Sequence, residues 1–433
     1  MNIPFSNSTP CLKSELDLFS SNPLNTSILK SSIISYPTTI PLEGTEDTFV
    51  IEIPAGEEYI DLNDIFLEVD VTIPNINSTT QIASETPEIG PVNNFIHSLF
   101  RNIEVEIGPP MHLTHIESVH NYPYKAHLLN VTSYNEEVKS TWLKNGMWEM
   151  DEAGKFDLAT NKGFVKRKKI FVDGGCSCKL IAPLACDIFT SPKLLPGRYQ
   201  INVTFKKSDD KFRLMGKHYL HFNAKITKAQ LLVRRCLINS TIVKAHETAL
   251  LQGPFKYPLT STRLFNAFIG SGRSDYVAPS FLSTIPNKVL LCFVKDSSFF
   301  GNGDNPFNYG HFNVSKITLV VDSKEHYINI NPTKKDCVEA YHAFFQSNNL
   351  YNRGSIGINH EDFLGGTCLF SFNLMPDKGC EFQFNQQRTG SMVIKVEFSE
   401  STTVALRLIC LFTYDNEINF DFKGNVWLAN SVG

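Results

Sequence analysis

Ile65-Phe-Leu-Glu-Val-Asp-Val-Thr-Ile73 alternates in steps of two: Ile65, Leu67, Val69, Val71 and Ile73 against Phe66, Glu68, Asp70 and Thr72. Successive side chains of an extended strand point to opposite faces, so this spacing predicts a strand with one buried and one wet face. Two further stretches read the same way. Ile103, Val105 and Ile107 alternate with Asn102, Glu104 and Glu106, and Tyr199, Ile201, Val203 and Phe205 alternate with Arg198, Gln200, Asn202 and Thr204. Apolar runs at 289–294, 317–321, 369–374, 392–398 and 404–412 are separated by clusters of Gly, Pro, Asn and Asp. Many short strands with long irregular connections predict an all-β chain of sandwiches or jelly rolls, with a few short helices in its loops.

The 433 residues are too many for one ordinary β domain and suit two. The 33 Phe and 14 Tyr, against 3 Trp, tilt the composition further towards strands. A net charge of -4 excludes a body-wide grip on nucleic acid, which needs a basic excess, and no direct sequence-specific nucleic-acid binding is expected. Several of the ten cysteines (Cys236, Cys292, Cys410) fall in apolar runs, where a thiol acts as a small hydrophobe. The first residues lack the basic start and apolar core of a signal peptide, and no apolar run is long enough to span a bilayer. The thiols are therefore read as free, in a reducing compartment. The Asn-x-Ser/Thr matches at Asn77, Asn130, Asn202 and Asn313 are then chance.

Residues 1–45, rich in Ser, Thr, Asn and Pro with nearly cancelling charges, read as an arm. A first β unit follows over 46–240, a helical connector over 241–253 (helix at Ile242–Leu251) and a second β unit over 254–433. Helices are also expected at Tyr122–Leu129, at Val338–Gln346 and at Tyr134–Lys144, the last opened by a Ser133/Glu136 capping box. An internal echo supports two similar halves. His97, a strand at 102–107 and Asn121-Tyr-Pro-Tyr-Lys-Ala-His-Leu-Leu129 are matched by His311, a strand at 316–321 and Ala340-Tyr-His-Ala-Phe-Phe345, at an offset of about 215 residues.

Candidate chemistry is sparse. Cys176-Ser-Cys178 with Cys186 lacks a matching Cys-x-x-Cys or Cys/His pair, so these read as loop or strand cysteines. His112, His115 and His120, with Glu117 between them, would not converge on a strand as two histidines do on one helical face; a surface or contact loop is expected. His218 and His221 flank an apolar pair and would be copper ligands only in a two-domain oxygenase, for which further ligands are missing. Lys166-Arg-Lys-Lys169 reads as a strand edge blunted by lysines, ahead of a DNA contact or nuclear address. There is no Walker-type phosphate loop and no Gly-x-Ser-x-Gly elbow. The turn-rich loop Phe299-Phe-Gly-Asn-Gly-Asp-Asn-Pro-Phe307 is expected to be ordered by its neighbours. No catalytic, cofactor or metal residue is nominated.

Pro91-Val-Asn-Asn-Phe-Ile-His-Ser-Leu-Phe-Arg-Asn-Ile-Glu-Val105, then Tyr122-Pro-Tyr-Lys-Ala126, and Asn305-Pro-Phe-Asn-Tyr-Gly-His-Phe-Asn313 in the second half, resemble the major capsid proteins of Polinton/Maverick elements and adintoviruses. The resemblance runs from about residue 48 to the end and leaves the arm unmatched. It implies a double jelly roll of two eight-stranded antiparallel sandwiches, a homotrimeric pseudo-hexagonal capsomer and an icosahedral shell around double-stranded DNA. It also implies a separate single-jelly-roll penton protein at the vertices. The chain would be made in the host cytoplasm, assembled in cytoplasm or nucleus, and end in the virion. Within that frame, the loops after the strands at Val105 and Val320 are expected to build towers or intersubunit contacts, and Phe205 and Phe372 to fill the cores. The rival readings are a two-domain β-sandwich enzyme, of copper oxygenase or glycan amidase type, and a carbohydrate-binding protein.

Overall fold

The computed structural model describes residues 14–19, 21–42, 47–73, 89–173, 177–216, 219–351, 354–378 and 383–429. Sixteen principal strands carry the fold. The first eight are β1 (Ile28–Pro37), β2 (Thr48–Ile53), β3 (Tyr59–Thr72), β4 (Phe100–Gly108), β5 (Thr114–His120), β6 (Ser177–Pro183), β7 (Gln200–Lys207) and β8 (Lys225–Ile238). The second eight are β9 (Phe255–Ile269), β10 (Asp275–Val277, resuming at Phe281–Thr284), β11 (Lys288–Lys295), β12 (Val314–Val321), β13 (Lys324–Asn329), β14 (Phe370–Asn373), β15 (Thr389–Phe398) and β16 (Leu406–Phe420).

Their antiparallel pairing gives sheets β1-β8-β3-β6 and β2-β7-β4-β5, then β9-β16-β11-β14 and β10-β15-β12-β13. Adding eight to each label of the first pair yields the second pair. That is jelly-roll order, executed twice, and among the described residues no strand of one set pairs with a strand of the other. The fold is a double jelly roll. Helix α3 (Ser240–Leu250) follows β8 and precedes β9.

The opening stretch packs as its alternation requires: Ile65, Leu67, Val69, Val71 and Ile73 are all buried. Its outer face is drier than expected. Glu68 is buried, accepting from Gln230 Nε2 at 2.8 Å and Lys179 Nζ at 3.3 Å, and Phe66 meets the Trp142 ring edge-on. Phe205 and Phe372 lie in the cores, and Phe293 and Phe398 meet across the two sheets of the second roll.

Three expectations are corrected. Residues 28–37, assigned to the arm, form edge strand β1; Ser31, Ser32 and Ser35 dilute its pattern, and only an edge position tolerates so exposed a strand. Lys166–Lys169 is not a strand edge but the middle of α2 (Lys162–Asp173). Phe164, Arg167 and Phe171, three and four residues apart, form its buried stripe, while Lys166 and Lys169 face out. The Ser133/Glu136 capping box does not form. Ser133 ends α1 (Tyr122–Ser133), and Asn135 caps the short helix Glu136–Ser140, accepting from Val138 N at 3.0 Å. The connections after β4 and β12 are hairpins, the first a five-residue turn over 109–113 with Met111 exposed, the second a two-residue turn with Asp322 and Ser323 at φ 46° and 72°. The long connections are β5–β6, carrying α1 and α2, and β13–β14, carrying α4 (Val338–Ser347).

Candidate assembly site at the joint between the rolls

Among the described residues, the histidines and cysteines weighed as ligands do not come together. His112 lies exposed in the β4–β5 turn, while His115 and His120 are exposed on β5. Cys178 is half-buried in β6, its thiol pushed up to about 12 by burial and then by the Asp70 carboxylate. Cys186 is fully buried and its thiol is also pushed up, first by burial. Cys176, His218 and Asn77 lie outside the described residues; His221 belongs to the short helical turn Tyr219–His221. Among the described residues, no group of three or more His, Cys, Asp or Glu could hold a metal ion, and no helix is long and apolar enough to cross a membrane.

Glu117 has a different partner. From β5 it reaches Lys125 of α1, whose Nζ lies 2.8 Å from both Glu117 Oε1 and Asp187 Oδ1. Asp187 N donates to Glu117 Oε2 at 2.8 Å, closing a triangle. The Asp187 carboxylate also crosses the joint, accepting from Thr262 N at 2.6 Å and Thr262 Oγ1 at 2.7 Å on β9 of the second roll. Burial disfavours the Lys125 ammonium, but the Asp187 and Glu117 carboxylates outweigh it and raise its pKa. Burial, and then Asp187, raises that of Glu117.

A second buried ion pair does the same from α2. Arg167 is fully enclosed, donating from Nε to Pro91 O at 3.1 Å and from Nη1 to Asp151 Oδ1 at 2.8 Å. The other Asp151 oxygen accepts from Asn305 Nδ2 of the second roll at 2.8 Å. Asp157 holds the same loop, accepting from Asn305 N at 3.1 Å and Asn308 Nδ2 at 3.0 Å. The 299–307 loop is thus ordered by its neighbours, as expected. At Gly301, with φ 85°, a side chain would collide with the backbone of Lys211 and Phe212, so the rolls approach closer there than any other residue allows.

Between these ion pairs lies an aromatic cluster. Tyr124 stacks on Phe299 with centroids 5.0 Å apart, and the His127 ring lies 4.2 Å from Phe307, nearly parallel. His127 Nδ1 is 3.1 Å from Tyr309 Oη, and Trp148 closes over the other side of the imidazole. Burial drives the His127 pKa well below 6.5, with Lys139 next in effect, and burial lowers His97 to about 3. Both histidines are neutral packing residues. Further out, Lys139 Nζ bridges Val131 O and Ile356 O at 2.8 and 2.9 Å, tying the long connection of one roll to that of the other. Its pKa falls to about 7 through burial, which Glu136 only partly offsets.

The blocks that carry the resemblance therefore meet: Tyr124 of the first packs edge-on against Phe307 of the second, with centroids 5.6 Å apart. Lys125, Asp187, Asp151 and Arg167 were not nominated from the sequence. The one available signal was a charge inside an apolar frame, such as Lys125 between Tyr124 and Ala126.

No protein-family model matches this chain. Uncharacterized protein F54H12.2 of Caenorhabditis elegans is 24% identical over 368 residues, covering 81% of this chain and 84% of that protein. Among solved structures, a chain of the Sputnik virophage superposes with TM-score 0.66 at 11% identity, covering 99% of this chain and 94% of the other. The PBCV-1 virus capsid gives TM-score 0.59 at 11% identity (95% and 100%), and the mavirus major capsid protein gives 0.53 at 11% (100% and 96%). The shared property is the double jelly roll. Both rolls and the joint lie within the superposed lengths.

Proposed function

We propose that this chain is a major capsid protein, a structural tile and not an enzyme. Three copies would form a pseudo-hexagonal capsomer, and capsomers would tile an icosahedral shell around double-stranded DNA in the virion. The observation that carries the reading is the pairing of two topologically identical rolls, side by side and locked by a buried joint. Two similar rolls per copy make six per trimer, so a three-fold assembly approximates six-fold symmetry and one gene product can fill a hexagonal lattice. Such a tile must be stiff. The joint supplies this, because a one-residue slip would strand the Lys125 ammonium or the Arg167 guanidinium in an apolar interior.

The finer assignments extend the same reading. The Polinton/Maverick–adintovirus lineage rests on the three sequence blocks, and a single-jelly-roll penton partner follows from that lineage. The domain division is 46–240 and 254–433, with β1 added to the first roll and 241–253 as connector. Assembly is expected in the cytoplasm or nucleus. Light scattering of the purified 48.8 kDa chain, with negative-stain microscopy, tests the proposal. A mass near three times the monomer, or closed particles, is expected; a strict monomer at high concentration would refute it. Stoichiometric copper in the purified protein would favour an oxygenase instead.

A further inference from the structure

Beside the aromatic cluster of the joint, where the start of β4, the first turn of α1 and the residues after β7 meet the second roll, lies a pocket of 110 Å³. Its walls are aromatic: Tyr124 and Phe212 from the first roll, Phe299 and Phe300 from the second. The rings are fixed in place. Tyr124 and Phe299 are buried and stacked, and the Arg407 guanidinium, paired with Asp296, lies 5.0 and 5.1 Å from the centres of Phe299 and Phe300. Phe300 still leaves 52% of its surface exposed.

The polar groups in this lining are largely unused. Among the described residues Arg101 has no hydrogen-bond or ion-pair partner, and neither has the Asn121 side chain, which leaves the N-terminus of α1 uncapped. Ser208 is 5% exposed, yet its hydroxyl has no hydrogen-bond partner among them either, a lack that buried hydroxyls rarely show. Exposed Asp209 completes the set; its carboxylate acts on Arg213 through space but caps no helix.

We propose that this pocket binds one ring of a carbohydrate, an activity separate from assembly and independent of it. A simple anion or cation does not fit, because Arg101 and Asp209 bring opposite charges to one pocket. A sugar suits both. Its C–H faces lie flat against aromatic rings, and each of its hydroxyls can donate to a carboxylate and accept from a guanidinium, amide or hydroxyl. The volume, room for roughly eight waters, suits a single six-membered ring. The 299–307 loop is already held by Asp151 and Asp157, so little ordering opposes binding.

Titration calorimetry of the full chain with glucose, galactose, N-acetylglucosamine and N-acetylneuraminic acid tests this. L-phenylalanine, whose two charges would satisfy the same pair, is the control. Saturable binding of at least one sugar is expected, with a dissociation constant on the order of 1 mM for so small a ligand. Arg101→Gln and Phe300→Ala should each weaken it by about tenfold or more while melting like the parent, since neither side chain is buried. Should Phe300→Ala melt lower, Phe300→Leu keeps apolar packing without the flat face and must show the same loss. A preference for N-acetylneuraminic acid would place its carboxylate on Arg101; a preference for a neutral sugar would place hydroxyls there. No sugar bound, L-phenylalanine bound in preference, or binding that survives either substitution would overturn the proposal. The capsid reading stands or falls separately, on particle mass.

Discussion

Replacing Asp187 by Ala is the sharpest probe of the joint. The substitution removes a carboxylate that accepts two hydrogen bonds from Thr262 and one from Lys125. The Lys125 side chain is 1% exposed, so its ammonium would keep a single counter-charge, Glu117, in a site water barely reaches. The larger loss is at Thr262, whose N–H and hydroxyl would both be left without an acceptor, at about 1–3 kcal/mol for each buried donor and so about 2–6 kcal/mol together. Asp187→Asn, which keeps the shape and one acceptor, should cost less, about 1–3 kcal/mol. Denaturant unfolding followed by tryptophan fluorescence reads this directly, because Trp148 is buried against His127 inside the joint. A double-mutant cycle with Thr262→Val isolates the inter-roll term, expected at about 1–3 kcal/mol. A loss below about 1 kcal/mol for Asp187→Ala, or a coupling within about 0.5 kcal/mol of zero, would refute the idea that this carboxylate locks the rolls.

Phe205→Ala and Phe372→Ala should each cost about 3–5 kcal/mol by emptying a core site, and a near-neutral melting shift for both would show the strand facing to be wrong. Acidification should weaken the fold. His97 and His127 have folded pKa values below their unfolded value, so their stabilising contribution is present above pH 6.5 and is lost as pH falls, towards about 3 for His97. The loss approaches about 1.4 kcal/mol per pH unit for each histidine, and H127Q should flatten the dependence of the urea midpoint between pH 7 and 5. Lys139 works over a higher window: its burial penalty is full below pH 7 and relieved up to about 10.5, so K139M should remove a rise in stability across that interval. Gly301→Ala should destabilise by clashing with Lys211 and Phe212, with a lowered melting temperature as the readout.

Legibility followed chain distance. Strands β3, β4 and β7 were readable because period-two alternation is local and each buries one face whatever lies opposite. β1 was not, since an edge strand half in water needs no clean alternation. The basic run at 166–169 misled because four consecutive cations mask the helical spacing of Phe164, Arg167 and Phe171; only the buried position of Arg167 separates it from its lysine neighbours. The histidines at 112, 115 and 120 drew notice by proximity in sequence, whereas the functional neighbour among them was Glu117.

By itself, the order of polar and apolar residues determined an all-β chain in two matching halves joined by a helix, because periodicity and repetition are properties of adjacent residues. Only the tertiary structure decided which charges meet. Asp187 and Thr262 are 75 residues apart, and Asp151 and Asn305 are 154 apart. Nothing local pairs them. Burying one opposite the other becomes favourable only once two finished sandwiches are brought together, where each unpaired charge would be costly and each matched one holds the register.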